Sequence, residues 1–188
     1  MSRLPLIQPQ QAHGQTRSML DAVQAQLGVV PNFLKVLAHS PSALGAFLGM
    51  HGALEGGSLD AATRERIALA VAEANACQYC VSAHSAIGRK AGLDAAEILR
   101  NRQGSSSDAK AAAAVAFARS LNENRGEVGE EELAAVRAAG HGDAEIVEIV
   151  ALVALNFFTN VLGKATQVDI DFPRVALLAP AGHACPAC

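Results

Sequence analysis

With 188 residues, 51% of them hydrophobic and 18% charged, the chain is long enough to bury its own core without staples and too apolar to be disordered. A formal net charge of -3 offers no basic surface for nucleic acid or for an anionic membrane. The amino-terminal MSRLPLIQPQQAHGQT lacks the continuous apolar run and cleavage site of a secretory signal, so the expected compartment is the cytoplasm, where cysteines start reduced.

Helix signals recur along the chain, and no alternating strand with hairpin chemistry interrupts them; the expected fold class is all-α. An amphipathic segment from about Arg17 to Leu27 stops at Gly28, and Pro31 then opens a short helix through NFLKVLA. Ser40 and Pro41 read as N-cap and first helical residue of a helix running to about Leu54, before Gly56 and Gly57. Asp60 caps the next, AATRERIALAVAEAN, which should end near Asn75. A further helix is expected from Gln78 to Ala91, with Arg89 and Lys90 in its last turn and Gly92 after it. A short helix near Ala95 to Asn101 leads into the polar linker RQGSSSD, whose Asp108 caps AKAAAAVAFARSLNEN. Glu130 to Ala139 is another short helix, and Asp143 is expected to cap AEIVEIVALVALNFFTNVLG. That last segment is strongly apolar but carries Glu148, Asn156 and Asn160, which suits a bundle core or subunit interface better than a membrane span. Its stripe of Ile146, Ile149, Val150, Val153 and Phe157 has the helical spacing of core or interface. One domain is expected over residues 1–173, followed by an irregular tail, 174–188.

The four cysteines form two CxxC pairs, Cys77 with Cys80 and Cys185 with Cys188. In a reducing compartment such pairs point to redox cycling or metal binding before structural disulfides. On a helix from Gln78, Cys80 and His84 stand at i and i+4 on one face, and Cys77 lies at the amino terminus, where free N–H groups and the helix dipole favour a thiolate. The two sulfurs could close a small disulfide, one cysteine attacking a substrate and the other resolving the product. His84 could take the thiol proton, and either Glu65 or Glu73 on the preceding helix could orient it. Both carboxylates would lie toward one side of a nearly straight helix, and a break near Asn75 would decide which of them reaches His84. A zinc site built from Cys77, Cys80, His84 and a glutamate is the rival reading, while a thioredoxin fold lacks its βαβ surroundings.

The pattern E-x11-C-x2-C-x3-H, met by Glu65, Cys77, Cys80 and His84, resembles the alkylhydroperoxidase D branch of the carboxymuconolactone decarboxylase superfamily. The stretches LGVVPNFLKVLAHSP, RERIALAVAEANACQYCVSAHSAIGRKAGL and DAEIVEIVALVALNFFTNVLGKATQVDIDFP are similar to its peroxidase-related members, and the likeness spans roughly residues 27 to 173. The resemblance implies a helical homo-oligomer, a trimer or hexamer, acting as a thiol peroxidase without a bound cofactor. It further implies Cys80 as the attacking thiol, Cys77 as the resolving thiol, and His84 with Glu65 as a proton relay that Glu73 shares or takes over. The partners it implies are a small hydroperoxide and an external dithiol reductant. One departure stands out: well-known hydroperoxidases of the family carry histidine immediately before the second cysteine, and here that residue is Tyr79, the single tyrosine of the chain. An acid–base enzyme of the decarboxylase type, using His84 and a glutamate, and a non-enzymatic zinc-binding or redox-sensing oligomer are the alternatives. The tail pair, Cys185 and Cys188, lies outside the resemblance and reads either as an electron-passing dithiol or as unstructured tail.

Overall fold

The computed structural model describes residues 2–178; Cys185 and Cys188 lie outside them. After a short 3-10 turn, Pro9–Gln11, the helices are α1 (Gly14–Leu27), α2 (Asn32–Leu37), α3 (Pro41–Glu55), α4 (Ala61–Ala74), α5 (Gln78–Lys90), α6 (Ala95–Arg102), α7 (Ala109–Glu123), α8 (Glu130–Ala138) and α9 (Asp143–Thr166), with no strand among the described residues. The expected all-α class is therefore observed.

Local chemistry sets most of the boundaries. Ser40, Asp60, Asp94 and Asp108 each accept a backbone N–H from the first turn of the helix they precede, replacing a bond that the helix start cannot make for itself. Gly28 ends α1 in the left-handed region at φ 74°. Two expectations shift. α1 starts at Gly14, a turn before Arg17, and α9 is capped at Gly142 rather than at Asp143. The Glu145 carboxylate accepts the Gly142 N–H, so Asp143 becomes the first helical residue, where its charge still faces the positive end of the dipole.

α4 runs through the middle of the bundle. Ile67, Ala68, Leu69, Ala70, Val71 and Ala72 are all buried, so this helix is covered all round and not only along one stripe. On one side α1, α2, α3 and α5 close a core around Leu20, Leu34, Leu44 and Val81. On the other, α7, α8 and α9 pack Phe117, Val136 and Ile149 against Ile67 and Val71 of α4. α9 is long and apolar enough to cross a membrane, yet its Ile146, Ile149, Leu152 and Val153 are buried inside this bundle. The expected stripe divides: Val150 and Phe157 lie on the outer face, because 3.6 residues per turn carries them away from the buried line.

The connection between α4 and α5 positions the site. The Cys77 N–H donates to Ala72 O at 2.9 Å and the Ala76 N–H to Glu73 O at 2.9 Å, the paired bonds of a Schellman motif, with Ala76 in the left-handed region at φ 51°. The chain therefore reverses there instead of continuing straight. A β-carbon placed on Gly88 of α5 would stand 3.8 Å from Cβ of Glu65, so the start of α4 lies beside the end of α5.

The segment after α9 has no regular structure but is fastened in the described part. Asp171 accepts the Asn32 N–H at 2.7 Å and the Tyr79 hydroxyl at 2.9 Å. The Val175 N–H donates to Ser82 Oγ at 3.1 Å, Arg102 Nη2 donates to Ala176 O at 2.6 Å, and the Leu178 N–H donates to Glu73 Oε1 at 2.7 Å. The strap crosses from the amino end of α5 to α6 and α4.

Candidate functional site

Cys77 is the N-cap of α5, and its sulfur accepts the Cys80 N–H at 3.4 Å. The two cysteines are joined as a disulfide, with Cα atoms 5.3 Å apart. α9 approaches this pair through Gly163, where a β-carbon would stand 3.2 Å from Cys77 Sγ. Cys77 and Cys80 are 1% and 3% exposed, so neither sulfur meets a partner at the surface. Access runs through a cavity of about 430 Å³ lined by α2, α3, α4, α5 and α9, within the range of small-molecule sites. Cys80 lines that cavity and Cys77 does not. A small molecule inside it meets Cys80 first.

His84 also lines the cavity, one turn beyond Cys80 on α5. Its Nδ1 lies 2.9 Å from Glu65 Oε2, and both side chains are largely withdrawn from solvent, 22% and 16% exposed. A carboxylate only accepts, so the proton of this bond sits on Nδ1 and Nε2 is left to accept or deliver a proton. The reversal at Ala76 selects Glu65: with α5 folded back along α4, the beginning of α4 comes beside the middle and end of α5.

Glu73 is placed differently. Its Oε2 accepts Arg102 Nε at 2.7 Å and its Oε1 the Leu178 N–H, and both members of the ion pair are buried. It sits one turn before the reversal, holding α6 and the strap, and has no bond to His84. Of the five expected site residues, the structure thus gathers Cys77, Cys80, His84 and Glu65, and assigns Glu73 to the neighbouring strap. Arg64 and Arg66, which flank Glu65 in the sequence, are engaged elsewhere: Arg64 Nη1 donates to Leu59 O and Arg66 Nε to Glu97 Oε1.

Tyr79 lies on the cavity wall beside Cys80. Its hydroxyl accepts the Phe33 N–H at 3.2 Å and donates to Asp171. Burial, then the nearby Asp171 charge, push its pKa far above the ordinary tyrosine value, so the phenol stays protonated. Tyr79 therefore ties α2, α5 and the strap together and cannot serve as a base at ordinary pH. Its ring stands edge-on to Phe172 with centroids 5.9 Å apart, and Phe33 and Phe47 continue the aromatic wall. Sequence patterning alone does not find this wall, since its rings come from four separate elements and share no period. No group of three or more histidine, cysteine, aspartate or glutamate side chains is placed to hold a metal ion among the described residues.

Residues 41–123, which include all of α4 and α5, match the carboxymuconolactone decarboxylase family. No curated protein sequence matches the chain. Among solved structures, an alkylhydroperoxidase D-core, peroxidase-related protein of Ralstonia eutropha JMP134 is 28% identical, with a TM-score of 0.81 over 90% of this chain and 92% of that one. A peroxidase-related protein of Silicibacter sp. TM1040 is 27% identical, with a TM-score of 0.78 over 89% and 91%. The debrominase Bmp8 in complex with 2,3,4-tribromopyrrole shares the fold at 21% identity, with a TM-score of 0.76 over 91% and 94%.

Proposed function

The chain belongs to the alkylhydroperoxidase D-like part of the carboxymuconolactone decarboxylase superfamily, and from that premise we propose that it is a thiol-dependent peroxidase working through Cys80 and Cys77. The observation that carries this reading is the order of groups along the cavity: Cys80 opens into it, the His84–Glu65 pair lies one turn further along, and Cys77 stands behind Cys80 within bonding reach.

In the reduced enzyme, Cys80 gives up its proton toward Nε2 of His84, directly or through a water, and Glu65 holds the imidazole in the tautomer that can take it. The Cys80 thiolate attacks one peroxide oxygen; an S–O bond forms, the O–O bond breaks, and the leaving hydroxide or alkoxide takes the proton from the imidazolium. Cys80 is then a sulfenic acid. The Cys77 thiol condenses with it, releasing water and forming the disulfide, which an external dithiol reduces by exchange. The peroxide gains two electrons and the external dithiol supplies them. Glu65 is the relay carboxylate in this scheme. Glu73 acts as a positioning group that fixes α6 and the strap behind the dithiol. The enzyme is expected to work as a homo-oligomer.

The test treats reduced, metal-analysed protein with one equivalent of peroxide and weighs digested fragments for a Cys77–Cys80 disulfide. Formation within seconds is expected, with Cys80→Ser abolishing turnover and Cys77→Ser leaving Cys80 as a trapped sulfenic acid. Full turnover by Cys80→Ser would overturn the assignment. An acid–base enzyme resting on His84 and Glu65 alone would keep its activity after both thiols are blocked, and a structural zinc site would hold stoichiometric metal until denaturation.

A further inference from the structure

Beyond the dithiol and its relay, the charged groups that line the cavity differ in their partners. Glu65 is bonded to His84, and Glu55 lies 3.8 Å from His51 on the α3 wall. The two cations that line the same cavity, Arg64 and Lys90, have no carboxylate within ion-pairing distance among the described residues. Arg64 spends one guanidinium N–H on the Leu59 carbonyl and makes no ion pair within 4 Å among the described residues, and Lys90 is an exposed residue in the last turn of α5. Both cations come from the ends of α4 and α5 that lie together. Arg64 precedes Glu65 on α4, and a β-carbon on Gly88, a half-turn before Lys90, would meet Glu65 at 3.8 Å.

Cys80 is at the other end of α5, ten positions before Lys90. At the α-helical rise this sets the sulfur and the cationic end on the order of 10–15 Å apart. Ala83 and Ile87 of α5 and Leu152 and Leu155 of α9 give the lining an apolar share alongside His84, and the rings of Tyr79 and Phe172 stand beside Cys80. The molecule that fits has three parts in a fixed order: an oxidised group at Cys80, an apolar chain along the α5–α9 walls, and an anionic head at Arg64 and Lys90. We propose that the peroxide reduced here is an anionic amphiphile, a long-chain carboxylic acid hydroperoxide, whose carboxylate is held by Arg64 and Lys90 while its chain places the O–O bond at Cys80. This rests on the peroxidase reading for its chemistry but not for its recognition step, which is binding alone.

The head group is the variable to change. Linoleic acid hydroperoxide and its methyl ester have the same chain and the same O–O bond, and differ in charge. The intact protein with a supplied dithiol should reduce the acid with kcat/KM about five- to tenfold above the ester, most of it in KM, as a charge-assisted contact at a half-exposed site allows. Lys90→Gln and Arg64→Gln should each pull that ratio down, and the double variant should bring it close to one; since the two substrates are compared on the same variant, any general loss of activity cancels. Equal turnover of acid and ester by the unaltered protein would overturn the proposal, as would a ratio untouched by the double variant. Titration calorimetry with oleic acid and oleyl alcohol separates this inference from the peroxidase reading. Tighter binding of the acid, weakened by Lys90→Gln and by added salt, supports anionic recognition even if no peroxide is turned over. Binding of both to the same degree refutes it even if the dithiol is active.

Discussion

Ala76 occupies the left-handed region at φ 51°, in a position of the Schellman motif where glycine is usual, and the whole reversal into α5 hangs on it. A β-carbon there costs about 1–2 kcal/mol, partly offset by the lower chain entropy of alanine in the unfolded state. Ala76→Gly is therefore expected to raise stability by up to about 1 kcal/mol, and Ala76→Val to lower it, read as shifts in the denaturation midpoint at constant slope. A less stable Ala76→Gly would mean that the left-handed conformation carries no strain worth relieving. The same residue explains why the relay carboxylate was not decidable from the sequence. Glu65 and Glu73 are both one to three turns from Cys77 along the chain, and only the reversal, with no glycine to announce it, separates them. The partners that hold Glu73, Arg102 and the Leu178 N–H, are distant in sequence and have no local signature.

At the scale of elements, Glu97 of α6 does for the bundle what Glu73 does for the strap. Its buried carboxylate accepts Arg66 Nε at 3.0 Å, Asn101 Nδ2 at 2.9 Å, the Ser107 N–H at 2.9 Å and the hydroxyls of Ser106 and Ser107, joining α4, α6 and the loop before α7. Burial pushes this carboxyl up, but the hydrogen bonds from Ser106, Ser107 and Asn101 outweigh it and hold the pKa far below the carboxylate range. A pKa depressed in the folded state means that the unfolded chain binds the proton more readily; the stabilisation is full above the unfolded value of about 4.3 and is lost as pH falls below it. Glu97→Gln should cost about 2–4 kcal/mol at neutral pH, where the half-buried Arg66 loses its counter-charge. Melting temperatures at pH 7 and pH 3 check the sign: the gap between wild type and variant should narrow in acid. A gap that stays constant would show that the carboxylate charge contributes nothing. The sequence made the serines legible only as a polar linker, RQGSSSD, because a linker and a carboxylate cradle use the same residues.

For the whole molecule, helix type and order were readable because caps and glycines mark them locally, as at Ser40, Asp60, Gly92 and Asp108. The cavity was not, since its walls come from α2, α3, α4, α5 and α9 and no local rule brings these together. The outer face of α9 was half legible. Its apolar residues were expected in core or interface, and the structure sorts them: Ile146, Ile149 and Val153 face the core, while Val147, Val150, Phe157 and Val161 are exposed at 67%, 46%, 52% and 49%. These four recur every three, seven and four residues, a continuous apolar stripe along one side of a long helix. Beside it, Phe157 and Val161 rim a recess of about 570 Å³ in which Asn160 is buried with its Nδ2 unpartnered. A stripe of this kind with a recess at its end suits burial against a second copy of the chain, consistent with the homo-oligomer that the resemblance implies. Val150→Glu combined with Phe157→Glu is expected to convert the assembly to monomer in sedimentation velocity while the helical circular dichroism is retained, because neither side chain belongs to the bundle core. If the unaltered protein sediments as a monomer, or the double variant keeps the parent's mass, the stripe is not the contact that holds the copies together. Since Leu152 and Leu155 on the opposite side of the same helix line the cavity, a variant that dissociates would also reveal whether α9 needs a neighbour to hold the substrate wall in place, read as a rise in KM at unchanged kcat.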